Sequence, residues 1–133
     1  MTLVIDASLV VAALVDGGRT GRWAESALES GPLAAPHLMP VEVANILRRA
    51  ALAGDITEDV AALAHADLLA LRVDLFPYDA IAPRAWELRA NLTAYDACYV
   101  ALAESLRAPL ATLDEKLARA PGPRCNFQTP PGK

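Results

Sequence analysis

Apolar and polar positions along the chain follow two alternating rhythms. Short β-branched or wholly apolar runs predict strands at Thr2–Asp6 (TLVID), Leu33–Ala35, Val73–Phe76 and Pro109–Leu113, with a last edge strand at Cys125–Phe127. Between them lie stretches with helical spacing. One follows Ser8, runs through LVVAALV and stops at Gly17–Gly18; the next spans Thr20–Ser30. Pro40 opens a helix to Ala53, and Thr57, backed by Glu58 and Asp59, caps another through Leu71. Further helices are expected over Ala80–Asn91, Thr93–Leu106 and Asp114–Ala120. Alternation of this kind predicts an α/β fold: a parallel sheet with right-handed crossovers and helices on both faces. The helix pair from Pro40 to Leu71 reads as an αα-hairpin between the second and third strands. With no repeat and no linker, the pattern predicts one domain over residues 1–128 and a frayed tail, TPPGK, over 129–133.

Composition sharpens this picture. At 133 residues the chain is long enough for a real core without disulfides or a structural metal. An apolar fraction of 54% and a mean hydropathy of +0.27 imply a deeply buried sheet and some apolar surface left for a partner. No run approaches the ~20 apolar residues of a membrane span, and no secretory leader pattern opens the chain. Cys98 and Cys125 show no metal spacing, so a reducing cytoplasm is the expected location and Cys98 reads as a small core residue. A net charge of −4 and a pI near 5.1 argue against a general nucleic-acid-binding surface. That argument weakens if the negative charge is concentrated where a cation binds.

Four acids occupy such places: Asp6 in TLVIDASLVVAAL, Glu42 in MPVEVANILRRA, Asp96 in LTAYDACYVALAESL and Asp114 in APLATLDEKLA. Each has a second reading. Asp6 and Asp114 end strands, and Asp at such a junction often caps the following helix. Ser8 is available to cap the first helix, which leaves Asp6 to point outward. Glu42 in the first turn of its helix would be favoured by the helix dipole alone. Asp96 is harder to explain away, because Thr93 supplies that helix's cap and Asp96 lies on or beside the inner stripe. Ligands of open α/β sheets bind beyond the carboxyl ends of the strands. Carboxylates gathered there repel one another unless a cation sits among them, and oxygen-only ligation suits magnesium or manganese. Asn45, three residues after Glu42, is placed to orient it or a water; Thr112 is placed to hydrogen-bond near Asp114. His37 and His65 lack ligand partners at metal spacing. Trp23, Trp86, Tyr95 and Tyr99 read as core or interface anchors.

The segments VIDASLVVAAL, PVEVANILRRA and YDACYVALAESLRAPLATLDEKLA resemble PIN-domain ribonucleases of the VapC type, the toxin half of bacterial toxin–antitoxin pairs. The resemblance runs from Thr2 to Ala120. It implies a three-layer α/β/α fold with a parallel sheet of four to five strands in flavodoxin-like order. It places Asp6, Glu42, Asp96 and Asp114 at the family's acidic catalytic and metal positions, and Ser8, Asn45 and Thr112 at the polar positions that accompany them. Some relatives carry a further acid shortly after the last Asp. Here Lys116 and Leu117 follow Glu115, which leaves one or two ions per site open.

The implied chemistry is hydrolysis of phosphodiester bonds in structured RNA with Mg²⁺ or Mn²⁺. The attacking water makes a 2′-hydroxyl nucleophile unnecessary. The implied partners are the RNA substrate, a cognate VapB-like antitoxin and a second copy of the chain, with no membrane and no organic cofactor. A response-regulator phosphoacceptor would need an acidic doublet after the first strand and a lysine ending the last; neither is present. A catalytically silent PIN-like binding module remains the alternative.

Overall fold

Apolar residues that must leave water set the frame. The strands β1 (Leu3–Ile5), β2 (Leu33–Pro36), β3 (Asp74–Phe76), β4 (Leu110–Ala111) and β5 (Phe127–Gln128) belong to a computed structural model that describes residues 1–132. They form one all-parallel sheet in the order β3-β2-β1-β4-β5. β1, β2 and β4 are buried along their whole length, as expected for central parallel strands covered on both faces. The helices are α1 (Ala7–Val15), α2 (Arg19–Leu28), α3 (Leu38–Leu52), α4 (Glu58–Ala70), α5 (Ala82–Glu87), α6 (Ala94–Leu106) and α7 (Glu115–Arg119).

The fold class matches the sequence reading, but the strand order corrects it. A flavodoxin-like order runs 2-1-3-4-5. Here the chain steps outward twice, from β1 to β2 to β3, before it returns past β1 to β4. The α3–α4 hairpin explains this: α1 packs on α2, α3 and α4 alike, so two consecutive crossovers lie side by side on one face. Right-handed crossovers then put the returning α5–α6 connection on the opposite face, where α6 packs on β1, β2 and β4 and α5 lies against α6. The reversal of direction falls between β1 and β4. Asp6 and Asp114 stand just beyond those two strands.

α6 accounts for much of the apolar excess. Its residues Ala97 to Ala103 are all buried, the pattern of a helix enclosed on every side. Its first turn is capped by Thr93, whose hydroxyl accepts from the Asp96 amide at 3.1 Å; Thr57 caps α4 in the same way through Val60. Both caps match the sequence expectation. Three helix boundaries do not. α3 begins at Leu38 rather than Pro40, since a proline inside the first turn removes only an amide that has no intrahelical partner. The helix expected over 80–91 contracts to a 3₁₀ turn, Tyr78–Ala80, and the short α5. α1 begins at Ala7, with Asp6 as its cap.

Arg84 of α5 ties the outer layer down. It donates to both carboxylate oxygens of Glu104 on α6, at 2.7 and 3.3 Å, and to the Gly122 carbonyl at 3.0 Å. Cys98 and Cys125 are free thiols, and burial pushes the Cys125 thiol up to about 11. Among the described residues no helix is long and apolar enough to cross a membrane. Of the tail expected to fray, Thr129 and Pro130 are half-buried and Lys133 lies outside the described residues.

Candidate metal centre

β1 delivers Asp6 to the carboxyl end of the sheet, where the chain turns directly into α1. The carboxylate is buried and does not point freely outward. Its Oδ1 accepts from the Leu9 amide at 3.0 Å and from the Ser8 hydroxyl at 2.7 Å, while Oδ2 accepts from the Thr112 hydroxyl. The sequence reading gave the cap of α1 to Ser8, and that is corrected: Asp6 is the cap and Ser8 supports it. An aspartate preceding the helix reaches the third amide with its own oxygen, whereas Ser8 already lies inside the first turn.

Two hydroxyls stitch β1 to the end of β4. Thr112, fully buried, donates to Asp6 and accepts from the Asp114 amide at 3.0 Å. Ser8 donates to Asp6 and accepts from the Leu113 amide at 3.2 Å. Asp114 caps α7 through Oδ1, which accepts from the amides of Lys116 at 2.9 Å and Leu117 at 3.1 Å. Both readings of Asp6 and Asp114 therefore hold at once. A carboxylate offers about four lone-pair positions, so capping leaves acceptor capacity on each.

Glu42 lies in the second turn of α3, not the first, because the helix starts earlier than Pro40; the dipole explanation for it is correspondingly weaker. It is half-buried, and its Oε1 accepts from the Tyr99 hydroxyl of α6 at 2.5 Å. Asp96 is half-buried in the first turn of α6. Asn45 lies exposed three residues beyond Glu42 and makes no side-chain hydrogen bond among the described residues. Of the four aromatics read as anchors, Tyr99 is core, but Trp86 and Tyr95 are 63% and 61% exposed. The ring of Trp86 is covered instead by the guanidinium of Arg89, 4.6 Å from its centroid.

The electrostatics show that the acids face one another. Burial raises the carboxyl of Asp6, opposed by the hydroxyls of Thr112 and Ser8, with the charge of Asp114 adding to the rise. Burial also raises Glu42, and Asp96 and Asp6 push it further. Asp96 is raised by burial and then by Asp114 and Asp6. Burial drives the Tyr99 phenol far above its ordinary range, helped by its hydrogen bond to Glu42 and by the charges of Glu42 and Asp6.

This donor set contains carboxylates and hydroxyls, with no imidazole or thiolate, and fits a hard divalent cation. A cation would relieve the mutual repulsion that raises three of the four acids. As the side chains stand, no three acidic, histidine or cysteine groups among the described residues are drawn close enough to ligate one ion together. Asp6, Asp114 and Glu42 are each held on hydrogen bonds, so closing around an ion falls to Asp96. Tyr99, which the sequence marks only as a core or interface anchor, gains a place in the cleft through its bond to Glu42. Its signal was a hydroxyl in the middle of an otherwise apolar buried helix, where it must find a partner.

Comparison with known proteins gives the family and the fold. The family described as "PIN domain" matches residues 3–123. Ribonuclease VapC1 of Mycobacterium tuberculosis is 41% identical over 129 residues, which cover 94% of this chain and 95% of the relative. A solved protein from Pyrobaculum aerophilum superposes with a TM-score of 0.70 at 25% identity, covering 96% of this chain and 83% of that one. VapBC2 of Rickettsia felis, crystallised with a DNA fragment from its promoter, gives a TM-score of 0.69 at 14% identity over 97% and 98% of the two chains. Mycobacterium tuberculosis VapC20, a sarcin–ricin loop cleaving toxin, gives 0.66 at 18% identity over 86% and 92%.

Proposed function

The chain belongs to the PIN-domain family and, within it, to the VapC ribonucleases, and from that premise we propose that it is the endoribonuclease toxin of a toxin–antitoxin pair, acting on structured RNA at the Asp6–Glu42–Asp96–Asp114 cleft. The observation that carries this reading is the gathering of Asp6, Glu42, Asp96 and Asp114 at the topological switch between β1 and β4, where Thr112 and Ser8 hold Asp6 and Tyr99 holds Glu42. The four acids would hold one or two Mg²⁺ or Mn²⁺ ions. When bound, such an ion supplies Lewis acidity: a more acidic water and neutralised charge at the scissile phosphate.

The chain's own residues do the rest. Thr112 and Ser8 fix the Asp6 carboxylate between two strand ends, so its direction does not depend on substrate. Glu42, on α3, and Asp96, in the first turn of α6, would complete the hold on the ion and orient the attacking water. Free thiols at Cys98 and Cys125 suit a reducing cytoplasm. The partner would be a VapB-like antitoxin, and an arginine of such a partner would suit the acidic cleft as a bidentate competitor of the metal.

The test is RNA cleavage by the purified protein. Cutting with Mg²⁺ or Mn²⁺, loss with EDTA, and loss in Asp6→Asn and Asp96→Asn variants that keep the fold would support the reading. A protein that binds RNA but never cuts it under any metal would favour the silent-module alternative. Mapping new 5′ ends in cells arrested by expression without the adjacent small reading frame would identify the RNA.

A further inference from the structure

Tyr99 carries a role that a core aromatic does not need. It is the largest of the fully buried side chains, 2% exposed, and every α6 residue from Ala97 to Ala103 is buried with it. Leucine or phenylalanine would fill such a place without placing a hydroxyl in a dry environment. A buried phenol costs stability unless its O–H is satisfied. Here it is satisfied by a carboxylate 57 positions away in sequence, at 2.5 Å. Glu42 in turn differs from Asp6 and Asp114. Asp6 has donors from Ser8, Thr112 and Leu9, and Asp114 is fixed by two amides of its own helix. Glu42 has the longest side chain of the four, lies in mid-helix where no free amide can hold it, and is repelled by Asp96 and Asp6. Repulsion and side-chain entropy would both carry it out of the cleft towards solvent.

We propose that Tyr99 is the positioning residue of the cleft: its hydroxyl anchors Oε1 of Glu42 and so keeps that carboxylate beside Asp6 and Asp96 in the absence of any cation. The inference rests on the reading of the four-acid cleft as a metal centre and adds the device that preorganises the acid with the longest side chain. The bond also locks α3 to α6 across the open end of the sheet, from opposite helical layers. The buried stretch of α6, Ala97–Ala103, thereby transmits its position to the one cleft acid carried by the α3–α4 hairpin. Preorganisation of this kind acts on affinity by removing an ordering cost before the ligand arrives.

The experiment is a double-mutant cycle read without RNA. Tyr99→Phe, Glu42→Ala and the double variant are titrated with Mn²⁺ by calorimetry. The mobility of the Glu42 side chain is followed in the metal-free protein by carbon-13 relaxation. Tyr99→Phe keeps the ring, so its amide spectrum should superpose on the parent away from the cleft. Mn²⁺ binding should weaken roughly 10–100-fold, the range found for groups that orient metal ligands. Glu42 should become mobile on the nanosecond scale, and Tyr99→Phe should change nothing further once Glu42 is alanine. Equal Mn²⁺ affinity with Glu42 still rigid overturns the proposal. So does an equal loss from Tyr99→Phe in the Glu42→Ala background, which would mark the effect as core packing. If the parent protein fails to bind Mn²⁺ while Tyr99→Phe still releases Glu42, the positioning role stands and the nuclease reading falls. If Tyr99→Phe does not fold, Glu42→Asp, which keeps the charge but shortens the reach to the phenol, must reproduce the loss of Mn²⁺ affinity, or the proposal fails.

Discussion

A carboxylate with a raised pKa leaves a thermodynamic signature that needs no substrate. In the folded, metal-free protein, Asp6, Glu42 and Asp96 bind protons more tightly than their ordinary values of 3.8, 4.5 and 3.8. Their contribution to stability is therefore fully present below those ordinary values. It is lost as pH rises through the higher folded values, since the unfolded chain then releases protons that the folded one retains. The metal-free protein should melt lower at pH 8 than these three groups allow at pH 4. Asp96→Asn should raise the melting temperature at pH 8 and lose that advantage at pH 4; an advantage independent of pH would contradict the origin assigned here. Thr112→Val tests the neighbouring pair of strand ends. The change is nearly isosteric, but it removes the donor to Asp6 and the acceptor for the Asp114 amide. Leaving Oδ2 of Asp6 and the part-buried Asp114 amide without their partner should cost about 1–3 kcal/mol in denaturant melts. Mn²⁺ affinity should fall roughly 10–100-fold with the loss of an orienting group.

At the scale of elements, Gly21 sets two effects of opposite sign against each other. It lies inside α2, where glycine disfavours the helix by about 1 kcal/mol relative to alanine. A Cβ there, however, would stand 1.7 Å from the carbonyl oxygen of Asp16, at the end of α1. That neighbour is backbone and cannot swing aside, so steric cost outweighs propensity. Gly21→Ala should lower stability by about 1–3 kcal/mol, the usual range for overpacking, despite its better helix propensity. An unchanged or higher melting point would mean that α1 and α2 can move apart. The sequence reading marked Gly17–Gly18 as the helix stop and gave Gly21 no role. The stop signal is local and legible. The close approach of two helices at Gly21 is not, because nothing in TGRWAESALES announces which neighbour the helix will meet.

On the scale of the whole molecule, two regions account for much of the apolar composition. Much of it goes into α6 and the sheet that α6 covers. Another part is exposed on the α3–α4 hairpin, where Leu52, Leu63 and Leu69 are 69%, 66% and 71% exposed. Val41 and Leu52 recur on one face of α3, and Val60 and Leu63 stand one turn apart on α4. Apolar surface of this extent is what a self-complementary contact would cover. The protein should therefore behave as a dimer in light scattering at micromolar concentration, and Leu63→Lys should shift it towards monomer without lowering the melting point of the monomer. A monomeric parent would refute the expectation.

The sequence by itself determined whatever depends on near neighbours along the chain. The alternation of apolar runs and helical spacings fixed the number and kind of elements, because burial of one face or one stripe is written in periods of two and 3.6. Thr57 and Thr93 could be read as caps, since a cap bonds an amide only three residues away. Asp6 and Asp114 could be placed at strand ends for the same reason, and the resemblance to the family followed from those segments. The tertiary structure alone decided the rest. The order β3-β2-β1-β4-β5 depends on where two crossovers find room to pack side by side, and no single segment encodes that. The bond from Thr112 to Asp6 joins residues 106 positions apart, and the bond from Tyr99 to Glu42 joins residues 57 apart. A hydroxyl in an apolar run says that a partner must exist, but its identity appears only when the chain has closed, because hydrogen bonds are chosen by distance in space.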